Sequence, residues 1–111
     1  IMRHSALLIK DGYLYVFFTN RGDEPERIML STIELKGDWN QWTASEPIEV
    51  LRPELDYEGA DLPIKVSRGG YIDERVHQLR DPAIYQENEK NYLLYSVAGE
   101  SGIAVAAINF Q

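Results

Sequence analysis

Two charged dipeptides hold the residues of this chain best placed to do chemistry. Arg80-Asp81 stands just ahead of the apolar run Ala83–Tyr85, and Arg3-His4 stands just ahead of Ala6–Lys10. An aspartate at the mouth of a strand can present its carboxylate to a ligand, and a guanidinium beside it would favour the ionised form. The plainer alternative is that Asp81-Pro82 opens the strand and the carboxylate caps local backbone N–H groups. A lone histidine such as His4 is, in the same plain sense, an ordinary hydrogen-bonding residue. Other candidates fall away on pattern. His77 has no helical partner and fits no metal motif, and Glu100 lies in a turn, where a catalytic glutamate is not expected. The acidic run Glu54–Asp61 lacks the ligand spacing of an EF-hand. Arg21-Gly22-Asp23 spells an adhesion tripeptide inside a turn of Gly and Asp, where a chance match is expected.

The elements that position the two dipeptides are strands. Arg3 to Gly22 lies on Arg80 to Gly99 without a gap: Arg3 meets Arg80, His4 meets Asp81, Ala6 meets Ala83, Tyr15 meets Tyr92, Phe18 meets Tyr95. After a small difference in loop length, Ile28–Leu35 lies on Ile103–Phe110. Three strands and both turns therefore recur, which makes the chain two copies of one β-meander. Asp11-Gly12 is a hairpin signal, because both central positions of a type I′ turn need positive φ. Tyr13–Thr19 is apolar on both faces and reads as a strand covered on both sides. Ile48–Leu51, between Pro47 and Pro53, suits a fourth, outermost strand. Trp39 and Trp42 read either as a sugar-stacking pair or as packing against that outer strand. Residues 52–78 form a long connection in which only Leu62–Val66 and Tyr71-Ile72 look like strand fragments.

Composition narrows the partners. A chain of 111 residues is one modest domain or part of a larger architecture. It has no cysteine, so neither a disulfide nor a Cys-based zinc site is available. A formal net charge of −7 argues against a nucleic-acid partner and suits a neutral ligand such as a sugar. No apolar run approaches the roughly 20 residues that cross a bilayer, so no membrane partner is expected. The first residues contain no signal peptide. An initial isoleucine implies that the true start lies upstream, which leaves the compartment undetermined.

Four-stranded antiparallel sheets that repeat along the chain point to a β-propeller. The repeat of about 77 residues is longer than the roughly 40 to 50 of WD40 and kelch units. Arg80-Asp81-Pro82-Ala83-Ile84-Tyr85, then Tyr92–Ser96, then Ala98-Gly99-Glu100-Ser101-Gly102-Ile103-Ala104-Val105-Ala106 resemble a blade of the five-bladed propellers of glycoside hydrolase families 43 and 32. Arg3–Leu35 resembles the blade before it. The resemblance implies an all-β fold of two four-stranded propeller blades, 3–51 and 79–111, joined by 52–78, from the C-terminal part of such a protein. It also implies that Asp81 corresponds to the aspartate that tunes the catalytic acid. His4, with Arg3 and Arg80, would face the central opening as ligand-binding residues. No cofactor is expected, apart from a structural calcium or a water at the propeller centre. Glycoside hydrolysis needs two carboxylates about 5 to 10 Å apart, and the base and acid partners of Asp81 are missing here. The expectation is a glycosidase-like fragment inactive alone. The alternative is a carbohydrate-binding or self-assembling β module. Strands apolar on both faces further imply a homo-oligomer.

Overall fold

The computed structural model describes residues 1–110. Seven strands follow in order: β1 (Met2–Lys10), β2 (Tyr13–Asn20), β3 (Ile28–Glu34), β4 (Ile48–Leu51), β5 (Arg80–Glu87), β6 (Lys90–Val97) and β7 (Gly102–Ile108). They form two antiparallel sheets, one ordered β1-β2-β3-β4 and one ordered β5-β6-β7. The expected outer strand is present as β4, but the second sheet has three strands among the described residues where four were expected. Only Asn109, Phe110 and Gln111 follow β7 in this sequence, too few to return along it as an antiparallel neighbour.

The two meanders repeat down to their registers. Ala6 opposes Phe17 and Phe17 opposes Leu30 in the first sheet. Their counterparts Ala83, Leu94 and Val105 pair in the same way in the second. Asp11-Gly12 and Asn88-Glu89 both turn with positive φ, the backbone that a tight right-twisting hairpin requires. An irregularity in the β1–β2 ladder between Met2 and Ser5 is matched by one in the β5–β6 ladder between Arg80 and Ala83.

The sheets stack through one face each. Ala6, Phe17 and Ile28 from the first, with Leu93, Tyr95 and Val97 from the second and Leu79 before β5, make the buried core. The edge strands β1 and β5 lie side by side. They run in the same sense, since His4 reaches Asp81 near their starts and Ile9 and Lys10 share a surface hollow with Gln86 at their ends. Tyr13–Thr19 is less covered than its composition implies. Phe17, Phe18 and Thr19 are buried, but Tyr13 is exposed and Leu14 to Val16 are half-buried, because no sheet lies on the outer face there.

Residues 52–79 form no strand. The fragments expected at Leu62–Val66 and Tyr71-Ile72 stay irregular because their backbone finds single partners rather than a ladder. Leu62 N–H donates to the Gly59 carbonyl, and Ile72 N–H donates to the Glu100 carboxylate. The connection is held to the sheets by side chains. Glu58, in the short 3-10 turn Asp56–Glu58, is buried and accepts from the Tyr95 hydroxyl at 2.7 Å and from the N–H groups of Glu54 and Leu55. Beside it Gly59, with φ of 93°, packs so close to the Val76 carbonyl that a Cβ would stand 2.4 Å from its oxygen. Trp39 is largely exposed and Trp42 partly so, which leaves Trp39 without the packing role weighed for it.

Candidate site at the seam of the two sheets

The repeat places Arg3-His4 and Arg80-Asp81 at the starts of the two neighbouring edge strands, so equivalent residues come together in pairs. His4 Nδ1 and Asp81 Oδ1 are bonded across the seam. The other carboxylate oxygen, Oδ2, accepts from the Ser96 hydroxyl at 3.1 Å. Asp81 sits at φ of 52°, in the left-handed region that Asp enters more readily than most residues. The ladder irregularity supplies that turn of the backbone. His4 is well exposed and Asp81 about one-third so, which leaves the pair open to solvent.

Arg80 does not serve Asp81. Successive side chains along a strand point to opposite sides, and Arg80 turns inward, almost fully buried. Its Nε and Nη2 donate to Gln78 Oε1 at 3.2 and 2.7 Å, and Nη1 donates to the Gly70 carbonyl at 3.0 Å. Its Nε also stands 3.2 Å from Glu26 Oε1. Arg3, the counterpart of Arg80, reaches the same carboxylate oxygen at 3.5 Å and donates to the carbonyls of Arg68 and Gly70. The two arginines expected at a ligand therefore converge on a buried acid instead.

That acid, Glu26, is wholly buried and neither of its oxygens accepts a well-aligned hydrogen bond. Burial raises its pKa, against the downward pull of the Thr19 hydroxyl and of the Arg3 and Arg80 charges. Burial lowers that of Arg80, and the Glu26 charge works against the shift. The Tyr95 hydroxyl, at the far side of the core, is raised by burial and by its bond to Glu58. Neither Glu26 nor Glu58 stood out in the sequence, where each is one acid among several in a polar turn. The only local signal for Glu26 is its place two residues before the apolar start of β3.

Chemically, the open pair is narrow in scope. Asp81 stands between His4 and Ser96, so the Ser96 hydroxyl bonds the carboxylate and not the imidazole, which is not the order of a Ser-His-Asp triad. The side-chain partners of Asp81 are thus an imidazole and a hydroxyl. Among the described residues no three His, Cys, Asp or Glu side chains gather as metal ligands. His77 is tied to the Leu62 carbonyl through Nδ1, and Glu100 to Ile72 N–H, so both serve the connection. Beside His4 a hollow of 370 Å³ opens between Met2, Arg3, Arg21 and Gly69-Gly70.

No family model matches this chain, and no solved structure matches it. Over 109 residues it is 45% identical to an uncharacterized protein of Acanthamoeba polyphaga mimivirus. That match takes in 97% of this chain and 31% of the viral protein, so the chain spans about a third of the length of the relative.

Proposed function

We propose that this chain supplies two adjacent sheets of a glycosidase-like β-propeller and that the open His4–Asp81 pair recognises a carbohydrate. The observation that carries the reading is the meeting of two equivalent positions, each at the start of an edge strand, with Asp81 held in a left-handed conformation. Strained backbone of this kind concentrates where a side chain must be aimed at a ligand. A carboxylate and an imidazole suit the hydroxyl groups of a sugar, as acceptor and as donor or acceptor. The glycoside hydrolase family 43 and 32 resemblance points the same way.

Recognition without hydrolysis is the activity that fits one carboxylate. Aryl-arabinoside, aryl-xyloside and fructoside substrates are expected to remain uncleaved by the purified chain. An oligosaccharide array followed by calorimetry is expected to find a binder whose affinity drops at least tenfold in Asp81→Asn. Turnover abolished by Asp81→Asn would replace recognition with catalysis. An array without a binder, or binding indifferent to Asp81, would overturn the reading.

A further inference from the structure

The outer faces of the two sheets fit each other. On the second sheet the face turned away from the core carries Ala83, Tyr85, Tyr92, Leu94, Ile103 and Val105, with Ile103, Val105 and Tyr85 at least half exposed. In the repeat these residues are the counterparts of Ala6, Leu8, Tyr15, Phe17, Ile28 and Leu30. Those six form the face of the first sheet that is packed against the second, where Ala6, Leu8, Phe17 and Ile28 are buried. The same positions are therefore sealed in one copy of the meander and open in the other.

The converse holds on the other side. The second sheet meets the first through Ile84, Leu93, Ala104 and Ala106. Their counterparts Leu7, Val16, Met29 and Ser31 lie on the outer face of the first sheet, with Leu7 and nearby Ile9 more than half exposed. Met29 and Ser31 are already covered at one end of that face. The chain thus displays one half of a contact it makes once within itself, on β5–β7, and the open part of the other half, around Leu7 and Ile9.

We infer that a second copy of this chain seats the outer face of its first sheet, around Leu7 and Ile9, on the outer face of β5–β7, around Ile103 and Val105. The contact is heterologous: two different surfaces meet, as they do inside one chain. Repetition therefore closes a ring of four or more sheets or, if the rotation does not close, runs on as a filament. This differs from a face-to-face dimer, in which like surfaces would meet. It does not depend on sugar binding.

Sedimentation separates the alternatives. The wild-type chain at micromolar concentration is expected to run as a multiple of 12.7 kDa. Leu7→Glu and Val105→Glu, at side chains exposed in a single copy, are each expected to run at 12.7 kDa with unchanged far-ultraviolet dichroism. Mixed together, the two variants are expected to form a 1:1 dimer, because each retains the surface the other lacks. Ile9→Lys and Ile103→Lys replace either variant that fails to fold. A wild type that stays at 12.7 kDa would overturn the inference and leave the faces to further sheets of a longer chain. Dissociation by only one of the two substitutions, or a mixture that stays monomeric, would overturn the heterologous geometry.

Discussion

Adjacent residues at the seam of the two sheets meet opposite fates. Arg3 and Arg80 turn inward to the buried Glu26, while His4 and Asp81, one step along the same strands, pair in the open. Both pairings arise from the same repeat, and strand alternation alone sends one pair to the core side and the other to solvent. The inner cluster is expected to matter for stability, and the outer pair for whatever the protein binds. Breaking each in turn tests that division.

The largest effect is expected inside. Glu26→Ala leaves two guanidinium groups facing each other without their acid, and removing one partner of a buried ion pair costs about 3–5 kcal/mol. Urea unfolding followed by tryptophan fluorescence would read it as a lower midpoint at unchanged slope. Glu26→Gln probes the charge itself. Because burial raises the Glu26 carboxyl in the folded protein, the native state keeps that proton after the unfolded chain has lost it. Folding is then opposed as pH rises from the ordinary carboxylate value to the raised one, and the Glu26 contribution to stability falls across that window before levelling off. The difference between wild type and Glu26→Gln should fall with pH across that window. A difference that rises with pH would mean that the arginines outweigh burial.

A smaller loss is expected on the far side of the core. Tyr95 and Phe18 occupy the same place in the repeat, but only Tyr95 carries a hydroxyl, and it donates to the buried Glu58. Tyr95→Phe makes the second sheet like the first at that position and leaves one Glu58 oxygen without its donor. An unsatisfied buried acceptor costs about 1–3 kcal/mol, readable by the same urea titration. Its amide exchange signature would be faster exchange at Glu54 and Leu55, whose N–H groups share that carboxylate. An unchanged midpoint would show that the connection is not fastened through Tyr95.

Much of this architecture was legible because it rests on local pattern. The Asp11-Gly12 turn, the apolar runs and the ungapped repeat dictated the two three-stranded meanders and the outer strand β4, and the pairing registers agree across the two copies, while the fourth strand expected of the second sheet is not there among the described residues. The role of Arg80 was misread because proximity along the chain was taken for proximity in space, and a strand separates neighbours by design of its pleat. Glu26 and Glu58 were invisible because burial of a charge depends on residues about 50 positions away in one case and 37 in the other, such as Arg80 and Tyr95. The connection 52–79 was overread at Leu62–Val66, where short β-like composition forms no ladder with either sheet. His4 and Asp81 were legible as equivalent candidates in the repeat, but their contact was not, because it depends on β1 and β5 lying side by side.

The smallest effect on stability, and the sharpest test of the division, belongs to that open pair. His4 is more than half exposed and Asp81 about one-third, so solvent screens the attraction between them. Exposed pairs of this kind contribute about 0.2–1 kcal/mol, well below the buried cluster one residue away. A double-mutant cycle of His4→Ala, Asp81→Asn and the combined variant isolates the coupling from the Ser96 bond, which Asp81→Asn can keep through its amide oxygen. The cycle is expected to give a coupling within that range by urea unfolding, shrinking further as salt is added. Oligosaccharide binding should respond differently: each single variant is expected to lose at least tenfold in affinity, with no matching loss of stability. A coupling of several kcal/mol with binding untouched would move His4 and Asp81 to the structural side of the seam and leave the open surface without its recognition pair.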